Sequence, residues 1–271
     1  MADDLGTALK SWQRELEQTS SFQRLVAGEE EQFWECHAEQ YYQNRTAGPH
    51  YTAVLDWLLE VVPPQATLLE IGPGPGIFTL PLARHCSRVT AIEPSPAVVN
   101  FLQRQAGGLP NLTIIQDSWE ECVVDSHDVV LAAGVLYVFY DLSKALEMML
   151  RSATHKVLLI FVEADQALLQ ELAATLHTPP PSPGGPSVKS FFRVLNELTS
   201  SYVWTRLVEQ QIYHYPNLEY LCDLWSHSLK LTPDHLPAVR SFLAEKGILD
   251  MATGDLTIPR CITSHMIEVS V

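Results

Sequence analysis

The apolar positions in the first sixty residues recur at steps of three and four. Leu5, Leu9, Trp12 and Leu16 form one series, Phe33, His37 and Tyr41 a second, and Val54, Trp57, Leu58 and Val61 a third. That spacing keeps one helix face apolar, so residues 5–60 are expected to be helical. Pro63 and Pro64 end the pattern, because proline cannot continue a helix and disfavours it in the residue before. The chain then switches to short apolar runs alternating with amphipathic segments. Thr67–Ile71, Arg88–Ile92, Leu112–Ile115, Asp128–Ala133 and Lys156–Val162 read as strands, with helices expected at about 78–85, 96–105 and 142–152. Continuously apolar strands separated by helices predict parallel pairing with both faces covered, the doubly wound α/β arrangement.

Beyond residue 162 the rhythm breaks. The segment from Thr178 to Ser187 holds five prolines and two glycines and reads as a loop. A helix is expected at 188–198, a β-like stretch at 202–215, and further helices at about 217–228 and 233–246. The alternation from His265 to Val271 suits a last, partly exposed strand. No internal repeat and no separate second domain is visible.

The whole-chain numbers narrow the chemistry. With 271 residues and 46% hydrophobic content, the chain can bury a sizeable core. A net charge of −15 repels phosphate backbones and anionic lipid, so nucleic acid is not an expected partner. The acidic runs Glu29–Glu31 and Glu120–Glu121 read as solvated positions. Cys36, Cys86, Cys122, Cys222 and Cys261 are odd in number and never spaced as a CxxC pair, which argues for reduced thiols and against a zinc site. Met1 to Lys10 has no apolar stretch and does not resemble a secretory leader, and no window reaches the length of a membrane span. A cytoplasmic location without membrane attachment is the expectation.

The chemistry concentrates after the first predicted strand, in Glu70-Ile-Gly72-Pro73-Gly74-Pro-Gly76. Glycines permit a sharp turn and leave no Cβ between backbone and ligand, and the following helix presents unpaired amides. A dinucleotide fingerprint needs glycine at the first, third and sixth positions. Counting from Gly72 places Ile77 at the sixth, and counting from Gly74 places Thr79 there, so neither frame fits. An acidic residue two places before the first of several alternate glycines resembles instead the first motif of class I S-adenosylmethionine-dependent methyltransferases. Glu93 and Pro94 end the second strand, 23 positions after Glu70, and Asp117, Ser118 and Trp119 follow the third. Asp128 to Leu136, followed by Tyr137, is similar to the fourth-strand motif of small-molecule members. The resemblance covers about residues 33–163.

That resemblance implies a seven-stranded, mostly parallel sheet with an antiparallel last strand. Residues 1–62 would form an N-terminal helical cap, and 63–271 a Rossmann-like domain with a helical insertion at about 216–250. It implies S-adenosylmethionine as cofactor, no metal, and a small, partly apolar methyl acceptor. Glu70 would position the methionine amino group, Gly72 to Gly76 would pass close to the cofactor, and Glu93 would accept the ribose hydroxyls. Asp117 would hold the adenine amino group, Trp119 would cover the ring, and Ala133, Gly134 and Leu136 would border the methionine moiety. Tyr137 and His214 are the candidate catalytic residues. Tyr41, Tyr42, His50 and Tyr51 are either a lid over the cofactor or the interior side of a helix. A binding protein of the same fold without turnover is the alternative reading.

Overall fold

The structure, a computed structural model, describes residues 5–271; Met1 to Asp4, the start of the expected cap, lie outside the described residues. Four helices come first: α1 (Leu5–Leu16), α2 (Ser20–Ala27), α3 (Glu30–Thr46) and α4 (Pro49–Val61). The alternating region follows as β1 (Thr67–Ile71), α5 (Thr79–His85), β2 (Arg88–Ile92), α6 (Pro96–Ala106), β3 (Leu112–Ile115), β4 (His127–Ala133), α7 (Leu142–Ser152) and β5 (Ala153–Ala164). The remainder is α8 (Ala167–Leu176), α9 (Val188–Leu198), β6 (Tyr202–Tyr215), α10 (Leu218–Leu229), α11 (Leu236–Glu245) and β7 (Leu256–Ser270).

The strands form one seven-stranded sheet in the order β3-β2-β1-β4-β5-β7-β6. β1 to β5 pair in parallel, while β7 lies antiparallel between β5 and β6. Neighbouring residues of each buried strand point to opposite faces. Leu69, Leu159 and Phe161 pack in one core with α1, α7 and α9, while Leu68, Leu158 and Ile160 pack in another with α4 and α5. The helix ends follow local chemistry. Ser95 accepts the Val98 amide ahead of Pro96 at the start of α6, Asp141 accepts the Lys144 amide at α7, and Ser187 accepts the Ser190 amide at α9.

Three expectations need correction. First, residue 62 is not a packing boundary. Trp12 of α1 is fully buried, lies edge-on to Phe161 of β5, and donates its indole N–H to the Phe139 carbonyl at 2.9 Å. Val54 and Leu58 of α4 are equally buried in the other core. α1 and α4 therefore cover the sheet, and the cap is confined to α2 and α3. Second, the last strand begins at Leu256, well before 265, because Pro259 and the polar residues beside it hide an alternation that only pairing with β6 reveals. The antiparallel β6–β7 pair runs past the end of β5 and builds a third core with α8, α10 and α11. Third, α8 occupies a stretch assigned no element, although Leu169, Leu172 and Leu176 carry a helical stripe.

If α1 belongs to the core, Trp12→Ala should lower the unfolding free energy by about 3–5 kcal/mol. Urea titration with an unchanged slope measures it. A loss below about 1 kcal/mol, the range of surface substitutions, would return α1 to the cap.

Candidate functional site

β1 and β4 are neighbours, yet the helices that follow them, α5 and α7, pack on opposite faces of the sheet. The loops leaving these two strands diverge and open a crevice at the strands' C-terminal ends, where ligands of open α/β sheets bind. A cavity of about 560 Å³ fills it. Glu70, Gly72 to Pro75, Ile92 to Ser95, Ser118 to Glu120 and Ala133 to Val135 line the sheet side, with Tyr137 beyond. Phe33, Trp34, Tyr41, Arg45, His50, Tyr51 and Val54 line the opposite side from α3 and α4.

The glycines of the turn have different roles. Gly72 has φ +63°, and a Cβ there would stand 2.4 Å from Val135 Cγ2, so the β1 and β4 loops approach too closely for any side chain. Gly76 has φ +90° and would meet Leu102 of α6 at 2.4 Å. A Cβ on Gly74 would meet nothing within 4 Å, and its space is the cavity.

Two carboxylates face this turn. Glu93 is 7% exposed; it accepts the Gly74 amide at 3.3 Å on one oxygen and the Ser95 amide at 3.0 Å on the other. Burial pushes its carboxyl up to about 7, with Glu31 and Glu30 adding to the rise against those amides. Glu70 is 2% exposed, and its Oε2 is buried without a hydrogen-bond partner. Burial first, and the charge of Glu93 as well, push it up to about 7, against the pull of the neighbouring Thr79 hydroxyl. A buried acceptor without a donor is costly, so Glu70 is an acceptor awaiting a donor.

Pro73, Pro94, Ser118, Trp119, Ala133, Gly134 and Tyr137 also lie on the cavity wall. Trp119 is largely core: it is 3% exposed and donates its indole N–H to the Ala145 carbonyl at 3.2 Å. Asp117, Gly76 and Leu136 do not line the cavity; Asp117 accepts the Ser118 amide in its own turn. His214 is a clear departure. Its side chain is exposed on β6 and absent from the cavity wall, and only its backbone is used, bonding Gln40 and Asn44 of α3. Strand alternation buries Tyr213 and Tyr215 and turns residue 214 outward. Burial raises the Tyr137 hydroxyl above its ordinary value, which keeps it a neutral phenol. Of the four lid candidates, Tyr41, His50 and Tyr51 line the cavity, while Tyr42 packs on Phe101.

The acidic run of α3 is not simply solvated. Glu30 pairs with Arg24 at 3.2 Å, and Glu31 accepts the Ala97 amide and the Ser95 hydroxyl at the N-terminus of α6. Arg45 is a cavity residue that no sequence motif marks. Its one signal is its place a turn after Tyr41 on the same helix face.

Residues 69–161 match the model of a methyltransferase domain. A probable ribosomal RNA small subunit methyltransferase A from Pyrobaculum islandicum is 42% identical over 64 residues, 24% of this chain and 26% of that protein. An uncharacterized protein from Haemophilus influenzae is 33% identical over 135 residues, 48% of this chain and 49% of that protein. The aligned stretch thus spans about a quarter of the first of these relatives and half of the second. Among solved structures, the YcgJ protein from Bacillus subtilis matches with a TM-score of 0.54 at 16% identity, covering 81% of this chain and 98% of that one, a likeness of fold. Sheet order and crevice are those of a Rossmann-like α/β fold, and within it residues 69–161 carry the match to the methyltransferase-domain family. The cofactor of that family is S-adenosylmethionine.

The raised carboxyls set a pH dependence. A carboxyl that titrates near 7 when folded, and in the ordinary range when unfolded, holds its proton more tightly in the folded chain. The stability this contributes is complete at acid pH and lost as pH rises through about 7. His50, pushed down to about 4 by burial and then by Arg45, acts in the opposite sense. Its effect is complete above the unfolded histidine value of about 6.5. The melting midpoint of the ligand-free protein should therefore fall between about pH 6.5 and about pH 8.5, and fall less in Glu70→Gln. A midpoint that rises over this interval would show that both carboxyls are already ionised.

Proposed function

We propose that the protein is an S-adenosylmethionine-dependent methyltransferase acting on a small, partly apolar acceptor. The observation that carries this reading is Glu70, a buried carboxylate with an unpartnered oxygen on the wall of the cavity that Gly74 leaves open. The residues present fit the cofactor. Glu70 offers an acceptor for an ammonium group, the Gly72–Gly76 turn leaves room for close approach, and Glu93 offers two oxygens to adjacent hydroxyls. Ser118 and Trp119 would flank the base, and Ala133 and Gly134 the methionine end. When bound, S-adenosylmethionine supplies a methyl group already activated on a sulfonium centre. The chain's own contribution is then to orient the acceptor and exclude water. The aromatic walls suit both ends, since Tyr51 stacks on Phe78 at 6.0 Å and Trp34 meets Tyr41 edge-on at 5.4 Å. Tyr137, as a neutral phenol, would orient the acceptor by hydrogen bonding rather than remove its proton.

An RNA acceptor is the second reading, favoured by the similarity of 64 residues to a ribosomal RNA methyltransferase. The net charge of −15 and the enclosed, mostly apolar cavity support the small acceptor instead.

Isothermal titration with S-adenosylmethionine, its demethylated product and NAD tests the cofactor assignment, and heat with NAD alone would overturn it. Glu93→Ala should weaken cofactor binding by about 2–3 kcal/mol, the scale of hydrogen bonds to a charged group. Gly74→Val, whose side chain would enter the cavity, should abolish it. Release of demethylated cofactor against a panel of amines, phenols, carboxylates and RNA distinguishes turnover from binding alone.

A further inference from the structure

Arg45 is a cavity-lining charge that the cofactor reading leaves unused. Its side chain lines the cavity, and its Nε is sealed from solvent with no acceptor. No carboxylate pairs with it among the described residues. Arg24, the other arginine on the wall, is spoken for: it bonds Glu30 at 3.2 Å and stands 3.9 Å over the Phe33 ring. Arg45 has only tyrosines. Its guanidinium carbon lies 5.2 Å from the ring centre of Tyr41 and 5.8 Å from that of Tyr213. Aromatic faces attract a cation far less than a carboxylate does. A guanidinium half-withdrawn from water, with its Nε sealed off and no counter-ion, weakens the fold, and an anion arriving with a ligand removes that penalty.

Its position says which ligand. The groups suited to the cofactor sit at the ends of β1 and β2. Tyr213 belongs to β6, four positions from β1 in the sheet, or about 19 Å at a strand spacing of about 4.8 Å. His50, which feels the charge of Arg45, is bonded at 2.9 Å to Ser264 of β7, on the same side. Arg45 therefore stands across the cavity from the cofactor groups, where an acceptor would lie. Among the described residues lining the cavity it is the only cation without a carboxylate partner, and Glu70, Glu93 and Glu120 face it from the sheet side, so a single negative charge fits better than a phosphate dianion. Val54, Ile160 and Val162 make the rest of this end apolar.

We propose that Arg45 is the anchor for a carboxylate on the methyl acceptor, which makes that acceptor an apolar carboxylic acid. The proposal rests on the methyltransferase reading. The test compares phenylacetate, indoleacetate and octanoate with their primary amides and with phenyl phosphate, by titration into the full chain with and without demethylated cofactor. At least one acid should bind about tenfold or more tightly than its amide, the weight of a charge-assisted hydrogen bond pair, and more tightly than phenyl phosphate. Arg45→Met should erase that preference, leave cofactor affinity within about twofold, and raise the melting midpoint of the ligand-free protein by removing an unpaired, half-buried charge. Arg45→Lys should keep part of the preference, as a point charge without the planar fork. Equal binding of acids and amides, tighter binding of phenyl phosphate, or a lower melting midpoint in Arg45→Met would overturn the proposal. So would loss of cofactor affinity in Arg45→Met with the acid preference intact, since the arginine would then hold the cofactor's own carboxylate. A wild-type protein that prefers the acids but binds no cofactor would refute the methyltransferase reading and leave the carboxylate site standing.

Discussion

The site depends on the close approach of two loops. β1 and β4 run side by side, and the turns that leave them come so near that position 72 has no space for a side chain against Val135. Because the next helices go to opposite faces of the sheet, this approach cannot be relieved by packing the loops together above it. The chain must instead separate, and the separation is the cavity. Glycine at 72 and 76 serves the packing of the turn, whereas glycine at 74 keeps the space in front of it empty.

Electrostatics divides that space. On the β1–β2 side, two carboxyls are buried, and the charge of Glu93 adds to the proton affinity of Glu70 while those of Glu31 and Glu30 add to that of Glu93. On the β6 side stands a guanidinium without a carboxylate. Uncompensated buried charge of this kind lowers stability, and sites keep it where a ligand will complete it. Direct pairing of Arg45 with Glu70 or Glu93 would relieve both ends and leave nothing to bind with. The intervening cavity and the rigid strands beneath it keep the partners apart.

The second wall is held by hydrogen bonds rather than by a domain interface. Glu31 ties α3 to the start of α6, and Asn44 and Gln40 tie the same helix to the backbone of residue 214. Gln211 returns a bond to the Asn44 carbonyl, and His50 joins α4 to Ser264. α3 thus bridges the crevice from one end of the sheet to the other, and its aromatic residues close the cavity from above. That arrangement explains why Arg45 reaches a pocket whose floor lies far along the chain.

The parallel strands were legible in the sequence because β1, β2, β4 and β5 are buried on both faces and read as largely apolar runs, and the half-buried edge strand β3 keeps the same pattern. The glycine turn and Glu93 were legible because strand ends and tight turns restrict the residue types they accept. His214 was misplaced because proximity in sequence to a motif does not fix which way a side chain points. Strand alternation turned His214 outward. The division between cap and domain at residue 62 failed because helical periodicity reports an apolar face and not what covers it, and the partner of Trp12 lies in β5. Arg45 was invisible for the same reason. A single arginine on a mixed helix carries no pattern, and its meaning comes only from the missing carboxylate and the surrounding tyrosines, which the fold draws from α3 and from β6. The sequence by itself determined the sheet's central strands and the turn that opens toward a ligand, since both follow from local burial and backbone freedom. Which charges face one another across the cavity was decided by tertiary structure alone, because electrostatic pairing depends on distance through space.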